Sequence, residues 1–134
     1  MALESLITGI QSAHSSLSIA IFTWTHPRLL EEVIRAKKRG VDVRIVLDGY
    51  CARGAGKKIY KALTDQNIQV HLPQQEELMH HKYVLIDKQI LFFGSTNWTQ
   101  SAFTKNEECL VRMEISNKKE EAFLSALWDD FHKK

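Results

Sequence analysis

Cysteine, proline and charge of either sign in excess are all scarce in this chain of 134 residues. Its two cysteines, Cys51 and Cys109, are too few for a disulfide scaffold, and without a Cys-x-x-Cys pair they offer no structural zinc site. Both are expected as free, mostly buried thiols. Two prolines and six glycines exclude collagen-like and low-complexity chains. No apolar run approaches the roughly 18 residues that cross a bilayer, so no transmembrane segment is expected. The first residues lack a basic stretch followed by an apolar block, so no signal peptide is expected there. That leaves localisation open between a soluble cytoplasmic protein and one exported by an upstream signal since removed. Lysine and arginine exceed aspartate and glutamate by only 2 charges, so any surface for a polyanion has to be local.

What is present fits one globular α/β domain over residues 1–134, with 44% hydrophobic and 25% charged residues. Leu3, Leu6, Ile7, Ile10 and Ala13 recur at helical spacing. Leu17 to Trp24 reads as a strand, and a helix with Pro27 in its first turn follows, closed by Gly40. Val41 to Leu47 reads as the next strand, which completes a βαβ unit and requires part of the sheet to be parallel. A Gly-containing loop over 48–56, a helix over 57–65 and a short strand over 68–72 come next. Strands near 82–86 and 89–93 are joined by the tight turn Asp87-Lys88, and another strand runs over 108–114. Asn117 and Glu120 form a capping box for a last helix whose buried stripe is Phe123, Leu124, Leu127, Trp128 and Phe131. The expected fold is a mixed, largely parallel β-sheet flanked by helices.

The informative stretch lies between Met79 and Cys109. His80, Lys82 and Asp87 fit H-x-K-x4-D, and Gly94-Ser95-Thr96-Asn97 follows. His80 and Lys82 are two apart on a strand, so both side chains leave one face and form a cationic pocket with one possible nucleophile. Ser95 and Asn97, again two apart, add neutral donors. Such a pocket suits a phosphodiester: charge and donors for the nonbridging oxygens, and an imidazole for attack or proton transfer. The first pattern alone arises by chance in roughly 2% of chains of this composition, and the second lowers that by orders of magnitude.

With these residues the sequence resembles the phospholipase D superfamily, whose signature is H-x-K-x4-D followed by G-S-x-N. Residues Leu17 to Asp48 resemble the family's first strand–helix–strand region, and Thr104 to Glu108 its acidic segment after the motif. The single motif copy and small size resemble the branch of bacterial endonuclease Nuc and the Zucchini-type mitochondrial proteins. The resemblance implies that His80 is the nucleophile, forming a phosphohistidine that water resolves. It implies that a second motif histidine comes from another copy of the chain, in a homodimer with the site on its two-fold axis. It further implies that Lys82 and Asn97 hold phosphate oxygens with Ser95 close by, and that Glu108 orients the histidine. Asp87, at the hairpin turn, is expected to be structural. The Zucchini-type zinc-binding insertion has no counterpart, so neither metal nor cofactor is expected.

Outside the motif, Arg53, Lys57, Lys58 and Lys61 surround Gly54-Ala55-Gly56 and read equally as a solvated face or as a rim that tracks a nucleic acid strand. Trp98 reads as packing beneath the Asn97 turn, with an edge that could stack a base. His81 points to the opposite face from His80 and reads as packing or surface. His26 is weighed as a minor candidate beside a substrate groove. The leading function is a metal-independent endonuclease on DNA or RNA. The alternative is a phospholipase D or cardiolipin hydrolase, and a non-catalytic nucleic-acid-binding module is third. A lipid enzyme needs exposed apolar surface or an anchor near the site, and the sequence shows none.

Overall fold

The computed structural model describes residues 2–74 and 76–134. Its order is α1 (Ala2–Ser12), β1 (Ser16–Ile21), α2 (Pro27–Lys38), β2 (Asp42–Leu47), α3 (Gly49–Arg53), α4 (Lys57–Asp65), β3 (Gln69–His71), β4 (Lys82–Ile86), β5 (Ile90–Gly94), α5 (Gln100–Thr104), β6 (Leu110–Glu114) and α6 (Lys118–Phe131). Six strands form one sheet in the order β3-β2-β1-β4-β5-β6. The mixed sheet is as expected, but parallel pairing is confined to β3-β2-β1, and the other three ladders are antiparallel. The tight turn between β4 and β5 requires that pair to be antiparallel, while α5 lies in the longer connection from β5 to β6.

Strand alternation divides the core between two faces. Leu17, Ile19 and Ile21 of β1, Val43, Ile45 and Leu47 of β2, and Val84 and Ile86 of β4 pack with the apolar stripes of α1, α2 and α4. Ala20, Val46, Tyr83 and Leu91 point the other way and are covered by Leu124 and Phe131 of α6. Phe123 is corrected by the structure: it is 69% exposed, because it stands a helical step to the side of the buried Leu124. Asn117 does cap α6, accepting from Glu120 N–H, but the Glu120 carboxylate turns back to Ser116 N–H rather than to Asn117.

The turn between β4 and β5 runs over Asp87, Lys88 and Gln89, with Asp87 and Lys88 both at positive φ and Gln89 N–H donating to Ile86 C=O at 2.9 Å, as in a tight primed turn. The Asp87 carboxylate accepts from the backbone N–H groups of His14, Ser15 and Ser16 and from the Ser15 hydroxyl, so it ties the hairpin to the start of β1. Burial alone would raise this carboxyl's pKa; the donors from Ser15, Ser16 and His14 outweigh it and hold the pKa below the usual range. Because the folded pKa is depressed, the stabilisation is present above the unfolded value of about 3.9 and is lost as pH falls through the folded one. Asp87→Asn is therefore expected to destabilise by about 1.5–3 kcal/mol at pH 7. The gap between variant and parent in urea midpoint should close as the pH is lowered to about 2. A gap that persists unchanged there would contradict the assignment.

Candidate active site

The carboxyl ends of β1, β2 and β5 and the start of β4 and β6 meet along one edge of the sheet. Ligand sites in α/β sheets gather at such carboxyl ends of parallel strands. His80 and His81 lead into β4, and the ladder continues past its formal end through a bond from Phe22 N–H to His81 C=O at 3.0 Å. This extension keeps His80 and Lys82 on one face, as the two-residue spacing predicted. The Lys82 Nζ lies 3.0 Å from His80 Nδ1 and 3.4 Å from Nε2, and donates to the His80 carbonyl at 2.9 Å. Contact with both ring nitrogens places the ammonium against the imidazole rather than on one in-line bond. Burial lowers the Lys82 pKa, and the Glu108 carboxylate pulls it the other way.

β5 ends at Gly94, whose φ of 151° and close backbone neighbour leave no room for a side chain: a Cβ there would stand 2.0 Å from the Cys109 carbonyl oxygen. The turn after it is stapled to the same residue. Ser95 N–H and the Thr96 hydroxyl donate to Cys109 C=O, and Cys109 N–H donates to Ser95 Oγ. The Ser95 hydroxyl donates to Glu108 Oε1 at 2.8 Å. Ser95 thus ties the turn to Glu108 and Cys109 through its hydroxyl and its backbone N–H. Glu108 is bonded to Ser95 and not to the His80 ring, which has Lys82 as its polar neighbour.

Asn97 is fixed in the complementary way. Its Oδ1 accepts from Thr23 N–H at 3.1 Å, which leaves the amide nitrogen free to donate. Trp98 is corrected as a stacking residue: it is 2% exposed, makes an edge-to-face contact with Trp24 at 4.6 Å, and shares its backbone with Thr23, Thr25 and His26. No face is left for a base. His26 is buried too, edge-on to Phe103, and burial lowers its pKa. His81 faces α6, against Phe131 and Tyr83, as its opposite strand parity implied. Asp87 sits at the far end of β4 from His80 and takes no part in the cluster. Cys109 is exposed, contrary to expectation, because its backbone is held at the sheet edge while its side chain faces outward.

Arg53, Lys57 and Lys58 are exposed on α3 and the first turn of α4, directly after the carboxyl end of β2. The expected loop over 48–56 contains α3, capped by Asp48, which accepts from Cys51 N–H and also from Met79 N–H at 2.9 Å. The basic segment is thereby joined to the residue before His80. Phe22, Thr23 and Asp48 are parts of the site that sequence reading passed over. Their signal was position, each standing at or just after the carboxyl end of a parallel strand.

A groove of about 640 Å³ adjoins His80 and Lys82 and runs beneath α6. Its apolar walls include Leu91, Phe93, Met113, Phe123 and Leu127, with Phe93 37% exposed. This corrects the expectation that the chain lacks exposed apolar surface near the site. Among the described residues no three His, Cys, Asp or Glu side chains gather as metal ligands, and no helix is long and apolar enough to cross a membrane.

His80 and Lys82, in contact at one end of the mixed sheet, and Asn97, on the turn that follows β5, form the candidate active site. The profile of the family described as "Cardiolipin synthase, PLD-like domain" matches residues 6–133. The chain belongs to the phospholipase D superfamily of phosphodiesterases, in its branch with a single H-x-K-x4-D motif. It is 35% identical over 113 residues to the mitochondrial cardiolipin hydrolase of Mus musculus, covering 84% of this chain and 51% of that one. It is 36% identical over 107 residues to that of Homo sapiens, covering 80% and 42%. The chain thus spans about half the length of these curated relatives. Among solved structures it is similar to the phospholipase D family member Nuc from Salmonella typhimurium. That match has a TM-score of 0.90 and 30% identity over 98% of this chain and 87% of that one. NucT from Helicobacter pylori matches with a TM-score of 0.85 and 28% identity over the same shares.

Proposed function

We propose that the chain is a metal-independent phosphodiesterase, acting as an endonuclease on DNA or RNA through a phosphohistidine at His80. The observation that carries this reading is the Lys82 ammonium against the His80 imidazole, on the same edge as an Asn97 whose amide nitrogen is free. In this reading Lys82 and Asn97 take the nonbridging oxygens and offset the charge that develops on them. The His80 imidazole nitrogen attacks phosphorus, and the bond to the leaving oxygen breaks. That oxygen takes a proton from His80 of the partner subunit. Water then attacks the phosphohistidine, giving its proton to the same partner imidazole, and His80 is released. One imidazole per protomer cannot be base-form nucleophile and acid at once, which is why a homodimer belongs to the proposal. Arg53, Lys57 and Lys58 are the cations placed to follow a polynucleotide backbone. The structural likeness to Nuc over nearly the whole chain favours the endonuclease branch that the motif resembles.

A second reading, hydrolysis of a phospholipid such as cardiolipin, is favoured by one specific observation: the apolar groove that opens beside His80. The motif serves both substrates. The test offers single-stranded DNA, RNA, duplex DNA and cardiolipin vesicles to the parent and to His80→Ala, all in chelator. Nucleic acid cleavage by the parent alone is the expected result. Cleavage of the lipid alone would move the assignment to the second reading, and binding without cleavage of any substrate would make the chain a binding module.

A further inference from the structure

The geometry points to Phe22 as a positioning residue that holds the His80 imidazole while substrate is bound, an inference that rests on the phosphodiesterase reading of the site. Phe22 is the first residue past β1, and its backbone N–H is bonded to His81 C=O, so it stands beside the His80–His81 step where β1 and β4 part. The two ring centroids are 4.4 Å apart with the planes at 49°. The Lys82 Nζ lies 5.5 Å from the centre of the same Phe22 ring. One half-buried aromatic ring therefore touches both the proposed nucleophile and the proposed phosphate-binding cation.

The consequence follows from what a substrate does to this arrangement. Lys82 is the polar neighbour of the His80 ring, and an arriving phosphodiester draws the ammonium toward its oxygens. The contact that need not break is the one to Phe22. An imidazole with no lateral restraint turns about its side-chain bonds, and the attacking nitrogen leaves the line to phosphorus. An aromatic face restrains it without offering a hydrogen bond that competes with the reaction. The same face attracts the ammonium through its quadrupole, keeping Lys82 near the imidazole before substrate binds. A leucine fills similar space but has neither the flat face nor the quadrupole.

The test compares Phe22→Leu, Phe22→Tyr and the parent, using the whole chain and bis(p-nitrophenyl) phosphate, a diester belonging to neither nucleic acid nor lipid. Phe22→Leu is expected to lower kcat by about 10- to 100-fold, with a much smaller change in KM, because misplacement of the attacking atom acts on the chemical step. Phe22→Tyr keeps the ring and should restore kcat to within about 3-fold of the parent. A second readout is independent of turnover: the ring current of Phe22 shifts the His80 imidazole proton resonances. The shift should vanish in Phe22→Leu and persist in Phe22→Tyr while both variants stay folded by circular dichroism. The inference is overturned if folded Phe22→Leu turns over like the parent, if Phe22→Tyr falls as far as Phe22→Leu, or if the His80 resonances do not respond. A parent that leaves the diester uncut while the resonances respond as expected would instead count against the phosphodiesterase reading.

Discussion

Replacing His80 with alanine is expected to lower kcat on a phosphodiester by about 10⁴- to 10⁶-fold, the range seen when a covalent nucleophile is removed. The loss should be confined to chemistry. His80 is exposed and contributes no packing to either core cluster, so the thermal midpoint of the variant should match the parent's. The parent's rate should also persist in excess chelator, because the proposed charge stabilisation comes from Lys82 and Asn97. Steady-state rates with and without chelator, beside a melting curve, check all three statements. A folded variant retaining more than about a hundredth of the parent rate would remove His80 from the role given to it.

The second large effect is expected at Lys82. Lys82→Met keeps the apolar stem against Phe22 and removes the ammonium, which should cost about 10²- to 10³-fold in kcat/KM, as for loss of one strong donor to a developing oxyanion. Lys82→Arg should restore only part of it, because a planar fork does not reproduce a point charge set between an imidazole and a phosphate. The pH dependence has a defined sign. Burial lowers the Lys82 pKa, so the cation should be lost, and KM should climb, at a pH below the ordinary lysine value of about 10.4. The Glu108 carboxylate opposes that shift, so Glu108→Gln should move the rise in KM to lower pH still. Movement in the other direction would show that Glu108 does not support the Lys82 charge.

Much of this was legible in the sequence because its signals are local. Asp87-Lys88 reads as a turn between two β-rich runs, and the hairpin forms there with both residues at positive φ. The two-residue spacing of His80 and Lys82 fixes their common face, and the fold keeps it. The parts that were hidden depend on partners distant along the chain. Trp98 reads as packing beneath the Asn97 turn, but the partners that enclose it and leave no edge for a base, Trp24 and the backbone of Thr23 to His26, are distant in sequence. α3 and α5, of five residues each, are too short to show a period; each is capped by a side chain, Asp48 and Thr99. Nothing in the spacing of α2 singles out Glu32, yet it is 0% exposed, with Arg28 and Arg35 from the neighbouring turns reaching its carboxylate. Phe123 shows the converse, an apolar residue at helical spacing that is 69% exposed.

The apolar groove beside His80 separates the two substrate classes more sharply than the motif does, since nucleotide and lipid diesters present the same phosphorus to the same imidazole. Whichever diester is turned over, the covalent step belongs to one side chain. Rapid quenching of a steady-state reaction into base, followed by proteolysis and mass spectrometry of the peptide carrying Met79 to Lys82, tests it most directly. The account predicts an acid-labile phosphoryl adduct on His80 that forms before product release, decays with water and is absent from His80→Ala. Full turnover with no adduct on that imidazole, or with the phosphoryl group on another residue, would contradict it.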